Sequence, residues 1–207
     1  MKLIDMKVNE YLDVLKSDAP APGGGSASAL AAAQGVALVA MVCDLTLGKE
    51  KYMEYQDVCA YAKAEAEELY GKLVESIDKD TEAFNLVSAA FKMPKGTEEE
   101  KAARSKAIAD GTLVATEVPF ETMMLCAEGL KTAEKIVGKS NPNAASDLGV
   151  AALNLLSGVK GAWLNVLINL PGVKDEALKA KFMTGRKTII EAEAIAARIY
   201  MEVAAML

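Results

Sequence analysis

The segment of residues 27–43 is apolar on every side of a helix, and this feature constrains the fold more than any other. Ser28 and Gln34 are its only polar side chains. A helix of this kind has to be covered by other elements or to cross a membrane. The alanine-rich composition and the Asp44 that follows favour a buried core helix over a membrane span. We therefore expect this helix at the centre of a bundle, with Ser26 or Ser28 as its N-terminal cap.

The first half of the chain predicts two further helices. Apolar residues keep a near-helical spacing over residues 6–17, which should form a short amphipathic helix. The same spacing continues over residues 51–91 and predicts one helix of about 60 Å at 1.5 Å per residue. Gly71 is the one residue that could interrupt it.

The second half also predicts helices. A capping box at Thr97 should begin one, and Pro119 should kink or divide it. Asn141 followed by Pro142 suits the start of the next, and residues 175–207 predict a last long helix. Because no alternating strand pattern occurs, we predict a single all-α domain over residues 1–207. Its architecture should be an up-and-down bundle of long helices with a buried apolar central helix.

The composition excludes several classes of function. The chain contains no histidine, so Ser-His-Asp hydrolysis, Cys-His chemistry and the usual zinc sites are ruled out. Acid or base chemistry must then come from carboxylates, lysines, tyrosines or cysteines. A net charge of -6 argues against a nucleic acid partner, which favours a basic surface.

The cysteines and the N-terminus indicate a cytoplasmic protein. Cys43, Cys59 and Cys126 lie in apolar stretches with no metal or disulfide spacing, which predicts buried free thiols in a reducing compartment. The first residues contain acids and no uninterrupted apolar segment, so we expect no secretory signal and no membrane partner.

Three glycines, Gly23–Gly25, precede the apolar segment. Glycines before a helix allow a close approach to the backbone and leave N–H groups free for a carboxylate, a phosphate or a polar heterocycle. A tight turn between packed helices explains them equally well, and the motif lacks the lysine of a phosphate loop. Both interpretations stay open from the residues alone.

Asp80 is the candidate catalytic residue. It lies three residues after Ile77 and four before Phe84, on the apolar stripe of the long helix. Asp78 lies about 200° away around the helix and is expected on the solvent side with Glu82. A carboxylate on a core-facing stripe has a raised pKa unless it is paired, which suits a general base. A buried ion pair is the structural alternative.

Other polar residues occur in apolar surroundings near helix ends or beside glycines. Buried amides and carboxylates need partners, so these residues either bridge helices or line a ligand site. Lysines just after the core helix are usually solvated, although they could bind an acidic ligand tail. The residues concerned are Ser146, Asp147, Asn165 and Asn169, with the lysines Lys49 and Lys51.

Six segments in order resemble the C-terminal family of formiminotransferase-cyclodeaminases, which includes standalone bacterial methenyltetrahydrofolate cyclohydrolases. The resemblance covers nearly the whole chain, although the formiminotransferase domain of the bifunctional enzyme has no counterpart here. The segments are APAPGGGSASALAAAQGVALVAMVCDLTLGKEKY, DKDTEAF, MPKGTEEEKAAR, EVPF, SNPNAASDLGVAA and NVLINL.

The resemblance implies an all-α homodimer with a folate site. It implies that Asp80, the second aspartate of DKDTEAF, is catalytic, and that the glycine turn lines the tetrahydrofolate pocket. We extend the predicted pocket to the polar residues of the other matching segments, with a lysine for the glutamate tail. The predicted substrate-binding residues are Pro22, Gly23, Gly24, Gly25, Ser26, Lys49, Ser146, Asp147, Asn165 and Asn169.

The implied reaction is hydrolysis of 5,10-methenyltetrahydrofolate to 10-formyltetrahydrofolate. Asp80 would accept a proton from the attacking water and return it to the departing nitrogen, so we expect no metal and no redox cofactor. Cyclodeamination of formimidoyltetrahydrofolate is the alternative activity, because it needs the same groups at the same carbon. A non-catalytic helical scaffold is the more distant alternative, and it predicts a paired Asp80 and no cavity beside the glycines.

Overall fold

The computed structural model describes residues 2–207, and these residues form an all-α bundle without a β-strand. Short 3-10 segments join several of the helices. The helices are α1 (Val8–Leu15), α2 (Gly24–Asp44), α3 (Gln56–Phe91), α4 (Glu98–Ile136), α5 (Ala145–Asn169), α6 (Glu176–Met183) and α7 (Gly185–Met206).

Helix α2 lies inside the bundle, as its sequence predicts, and packs mainly against α3 and α5. Small residues allow the close approach to α5, because a side chain at Gly158 would collide with Ala32 and Cys126. A stripe that includes Gln34 and Met41 stays exposed on the side away from these neighbours. The prediction of a central apolar helix is confirmed.

The two longest helices are less interrupted than their sequences suggest. Helix α3 spans 36 residues and passes Gly71 without a break, although residues 50–55 form a separate 3-10 segment before it. Helix α4 starts at the predicted capping box and continues through the buried Pro119. The prediction of a division at Pro119 is therefore wrong. At 1.5 Å per residue α3 is about 54 Å long.

Two predicted helix ends need correction. Neither Ser26 nor Ser28 caps α2, which starts at Gly24 after the extended residue Gly23 and has no side-chain cap. The C-terminal region is divided by a turn at Thr184 into α6 and α7. Both serines have other partners: the hydroxyl of Ser28 donates to the carbonyl oxygen of Gly24, and Ser26 contacts α3.

Helices α2 and α5 run antiparallel. The start of α2 meets the end of α5, where Gly24 faces the side chain of Asn165. At the other end Thr46, just after α2, accepts a hydrogen bond from the N–H of Asn141, just before α5. These two ends of the bundle are about 30 Å apart at 1.5 Å per helical residue, so residues at opposite ends cannot share one pocket within a chain.

The three cysteines are buried free thiols, in agreement with the sequence. Burial raises the pKa of Cys43 to about 12, and it also raises the pKa of Cys59 and Cys126. All three thiols stay protonated near neutral pH and are poor nucleophiles.

Two helices, Gly24–Asp44 and Pro142–Gly172, are long and apolar enough to span a membrane by length and composition alone. The most apolar window of the first is 56% buried inside the bundle, and that of the second is 44% buried. The core helices of soluble proteins pass the same test, so this finding gives little weight to a membrane span.

Candidate active site

The carboxylate of Asp80 meets the first turn of α2. The backbone N–H of Ser26 donates to Oδ2 of Asp80 over 2.8 Å. The Ser26 hydroxyl oxygen lies 3.1 Å from the same Oδ2 and 2.8 Å from the carbonyl oxygen of Ile77. Ser26 is fully buried. The start of α2 is thus fixed to the middle of α3 through one carboxylate oxygen.

The second carboxylate oxygen, Oδ1, has no hydrogen-bond partner among residues 2–207. Gly25 lies against this oxygen, and a side chain on Gly25 would overlap the carboxylate. The close approach of the two helices therefore requires glycine at position 25. Ser26 therefore holds Oδ2, and Oδ1 is the carboxylate oxygen that accepts no hydrogen bond in the described part of the chain.

Burial raises the pKa of Asp80, and the two hydrogen bonds from Ser26 partly oppose this effect. No salt bridge involves Asp80 in the described part of the chain. The alternative of a buried ion pair is therefore not supported. A partly desolvated carboxylate with a raised pKa and one free oxygen is suited to general acid and base chemistry.

A cavity of about 320 Å³ opens beside Asp80. Its polar boundary comes from the loop before α2, the carboxylate and two amides, and its apolar boundary comes from α3, α4 and α5. The lining residues are Pro20, Ala21, Gly23, Gly24, Asp80, Phe84, Val87, Ala115, Asn165, Ile168 and Asn169.

Both amides line the cavity, and only Asn169 also bridges two helices. The side-chain nitrogen of Asn165 donates to the carbonyl oxygen of Gly161 over 2.9 Å. That of Asn169 donates to the carbonyl oxygens of Ala115 and Asn165, over 2.8 and 3.0 Å. These bonds fix both amides, and their side-chain oxygens accept no hydrogen bond in the described part of the chain.

The structure brings together most of the residues predicted near the glycine turn. Gly23, Gly24, Asn165 and Asn169 line the cavity with Asp80. Gly25 and Ser26 lie behind them against the carboxylate, and Pro22 is buried within the loop.

Lys49, Ser146 and Asp147 do not join this cavity in one chain. Lys49 is exposed just before the 3-10 segment Glu50–Tyr55. Ser146 and Asp147 lie in the first turn of α5, at the end of the bundle opposite to Asn165. The antiparallel arrangement of α2 and α5 explains this separation, which the order of the segments in the sequence does not reveal.

Asp78 is placed differently from the sequence expectation. Its side chain is half-buried, and its Oδ1 accepts a hydrogen bond from the N–H of Leu3 over 2.6 Å. The N-terminal segment covers the face of α3 that was expected to be exposed. Asp78 therefore anchors that segment.

Sequence reasoning missed the residues that complete the site. Thr81 places its hydroxyl oxygen 3.2 Å from that of Ser26, and Phe84, Val87 and Ile168 form the apolar wall. Phe84 lies one turn after Asp80 and so could have been found from helical spacing. Ile168 could not, because nothing local distinguishes it from a core residue.

The comparisons with known proteins agree with one another. A family model described as Formiminotransferase-cyclodeaminase matches residues 7–188. A protein of Methylorubrum extorquens named methenyltetrahydrofolate cyclohydrolase is 41% identical over 194 residues, which are 93% of this chain and 93% of that protein. The formimidoyltransferase-cyclodeaminase of Sus scrofa is 34% identical over 86% of this chain, which corresponds to 33% of that longer protein.

A solved structure has the same fold. The crystal structure of a formiminotetrahydrofolate cyclodeaminase from Thermotoga maritima superposes with a TM-score of 0.80 at 28% identity. The match covers 98% of this chain and 96% of the other. The arrangement of long helices is therefore shared along the full length of both proteins.

Proposed function

Because the chain belongs to the formiminotransferase-cyclodeaminase family, we propose that it is an enzyme that hydrolyses 5,10-methenyltetrahydrofolate to 10-formyltetrahydrofolate. One observation carries the proposal: Asp80 lines a cavity, with one carboxylate oxygen held by Ser26 and the other without a hydrogen-bond partner in the described part of the chain. This arrangement offers a fixed carboxylate to a substrate carbon that is electrophilic and cationic.

The ionised carboxylate can serve both stages of the hydrolysis. The methenyl carbon bridges two nitrogens and carries positive charge, which a nearby carboxylate stabilises. Asp80 Oδ1 accepts a proton from the water that attacks this carbon. The carbon–nitrogen bond to one of the two nitrogens then breaks, and the protonated carboxyl returns its proton to that nitrogen. The hydroxyl that remains on the carbon loses its proton to bulk water as the C=O bond forms, so the hydrolysis releases one proton overall. Each step needs only proton transfer, and the mechanism uses no metal and no redox cofactor.

The cavity offers complementary surfaces to a folate. The pterin and aryl rings are flat and largely apolar on their faces, which suits the wall formed by Phe84, Val87 and Ile168. The ring N–H groups suit the carbonyl oxygens of Asn165 and Asn169. In the first turn of α2 the N–H groups of Gly24 and Gly25 have no carbonyl partner within the helix, and they suit acceptor atoms of the substrate.

A second activity, cyclodeamination of formimidoyltetrahydrofolate, has specific support. The solved relative from Thermotoga maritima is described as a cyclodeaminase. In that reaction a nitrogen closes on the same carbon and ammonia leaves, and the same carboxylate would transfer the proton. The 41% identical relative named cyclohydrolase matches 93% of this chain, which favours hydrolysis.

The scaffold alternative is not supported. It requires a paired Asp80 and no cavity beside the glycines, whereas Asp80 has a free oxygen and the cavity is present. The family comparisons also point to enzymes.

The homodimer, the cytoplasmic location and the absence of a membrane partner are part of the same proposal. An exposed apolar groove of about 310 Å³ between α1 and α2 supports the dimer. Val8 and Leu12, at its edge, are 78% and 51% exposed, and burying such residues stabilises an assembly. Lys49, Ser146 and Asp147 contribute to the folate site only if a second subunit supplies them.

The decay of methenyltetrahydrofolate absorbance tests the activity. We expect turnover by the wild type, and a loss of about 10³-fold in Asp80→Asn, since general acid–base groups contribute roughly 10²–10⁴-fold. Glu82→Gln is the matched control, because it removes an exposed carboxylate on the same helix. Equal rates for Asp80→Asn and the wild type would remove the proposal, and ammonia release from the formimidoyl substrate would assign the second activity.

A further inference from the structure

Tyr11 on α1 carries a buried hydroxyl that the proposed mechanism does not yet use. The residue is 6% exposed, and its hydroxyl oxygen has no hydrogen-bond partner in the described part of the chain. A buried hydroxyl without a partner loses the free energy of its hydrogen bonds to water. Native structures satisfy such groups with a protein atom or with an ordered water molecule.

Tyr11 packs about one helical turn away from the contact between Ser26 and Asp80. Tyr11 packs in a small apolar cluster with Leu3, Ala29 and Ile77. Ile77 lies one turn before Asp80 on α3, and Ala29 lies one turn after Ser26 on α2. Tyr11 therefore occupies the next layer of the α2–α3 contact that Ser26 and Asp80 form.

The electrostatics agree with this position. The pKa of Tyr11 is raised. Burial is the larger cause, and the negative charge of Asp80 is the smaller one. The hydroxyl therefore stays protonated and is available as a donor towards Asp80. Tyr11 lines the α1–α2 groove rather than the cavity, so it approaches from the side away from the substrate.

Few ionisable groups compete for this role. On α3, Glu75 pairs with Lys79. Asp78 binds the N–H of Leu3 through Oδ1, but its buried Oδ2 has no partner in the described part of the chain, so Asp78 is the competing acceptor. Residues 24–43 of α2 contain no charged side chain, and α5 faces the site with two neutral amides. On α4 the ionisable residue nearest in sequence to the cavity residue Ala115 is Glu117.

We propose that Tyr11 is a positioning residue for the reaction: its hydroxyl donates, through one enclosed water molecule, to the carboxylate of Asp80. This contact holds the carboxylate in its orientation and favours its ionised form. The inference rests on the proposed function, because it assigns Tyr11 a role only through Asp80. Tyr11 itself does not touch the substrate.

The substitution Tyr11→Phe tests the inference, since it keeps the ring and removes only the donor. We would follow the titration of Asp80 by NMR of ¹³C-labelled carboxyl groups, with Asp80→Asn used to assign the signal. A hydrogen bond to an ionised group corresponds to a pKa change of about one unit. We expect the Asp80 pKa to rise by about this amount in Tyr11→Phe.

The same variant should change the pH profile of turnover. The acidic limb of kcat/KM, which reports the free enzyme, should move upward by about one unit. At pH values below the limb, kcat/KM of Tyr11→Phe should be about tenfold lower than that of the wild type. At pH values above the limb, the two should differ by less than about twofold. Tyr52→Phe is the control, because Tyr52 is a buried tyrosine whose hydroxyl bonds Asn141 at the opposite end of the bundle.

An unchanged Asp80 titration and acidic limb in Tyr11→Phe would overturn the inference, and so would a shift of the Asp78 signal alone. A failure of the proposed function is recognised separately, because it appears as full activity in Asp80→Asn. The NMR titration needs no substrate and therefore remains informative in that case.

Discussion

Gly25 and Asp80 are in such close contact that the space of a side chain at position 25 is already taken by the carboxylate. The two residues come from different helices and are 55 positions apart in the chain. The glycine turn is therefore explained by the carboxylate that it accommodates, and not only by the need for a bend between α1 and α2.

This contact predicts the effect of Gly25→Ala. The added methyl group would displace the carboxylate, and displacements of about 1 Å at a reacting group can cost about 100-fold in rate. We expect kcat/KM to fall by at least about this factor. Gly71→Ala is the control, because Gly71 lies within α3 with open space around it, and alanine there should stabilise the protein by about 0.5–1 kcal/mol. Wild-type activity in Gly25→Ala would contradict the close contact.

Asp80 should destabilise the fold at neutral pH. Its pKa is raised in the folded protein, so ionisation costs more there than in the unfolded chain. This free-energy cost is absent below the pKa of an aspartate in the unfolded chain, which is near 3.9. It grows as the pH rises towards the pKa of Asp80 in the folded protein and is constant above that pKa. We expect the Tm of Asp80→Asn to exceed that of the wild type at pH 7–8 and the difference to shrink on acidification. A difference that grows on acidification would contradict the raised pKa.

Phe84 should contribute to substrate binding rather than to stability. It is 39% exposed and lines the cavity one turn after Asp80. Truncation to alanine removes an aromatic contact with the substrate, and a loss of about 1.4 kcal/mol corresponds to a tenfold change in affinity. We expect KM to rise by about tenfold in Phe84→Ala, with a small change in Tm. Phe91→Ala should leave KM unchanged, because Phe91 packs against Arg104 further along α3.

The exposed groove between α1 and α2 should be covered in the proposed homodimer. A glutamate at position 12 would be desolvated on association, which is unfavourable for an unpaired charge. We expect Leu12→Glu to be monomeric by light scattering at concentrations where the wild type is dimeric. Ile190→Glu on α7 is the control, since Ile190 is also exposed. A dimer of unchanged stability in Leu12→Glu would place the interface elsewhere.

The helical content of this protein could be read from its sequence because the signals are local. The spacing of apolar residues gave α2, α3 and α4, and side-chain chemistry gave the caps at Thr97 and Asn141. The same spacing placed Asp80 on the inner face of α3. The break at Thr184 and the continuity at Pro119 were missed, because packing against neighbouring helices outweighs local preference at both positions.

The composition of the candidate site was only partly readable. Phe84 and Thr81 adjoin Asp80 in sequence, whereas Ile168 and Ala115 reach the cavity only through the packing of α5 and α4. Lys49, Ser146 and Asp147 were grouped with the site on the strength of matching segments. They lie at the other end of the bundle. The prediction failed because a matching segment does not show which helix ends lie next to each other in the fold.

The amino-acid sequence by itself determined the helices, their inward faces and the single carboxylate on the apolar stripe of α3, since each depends on the 3.6-residue period of one segment. Only the tertiary structure decided that the first turn of α2 meets that carboxylate through Ser26 and Gly25, and that Tyr11 packs against Ala29 and Ile77. The physical reason is that the register between helices depends on close packing of small side chains, which couples residues far apart in the chain.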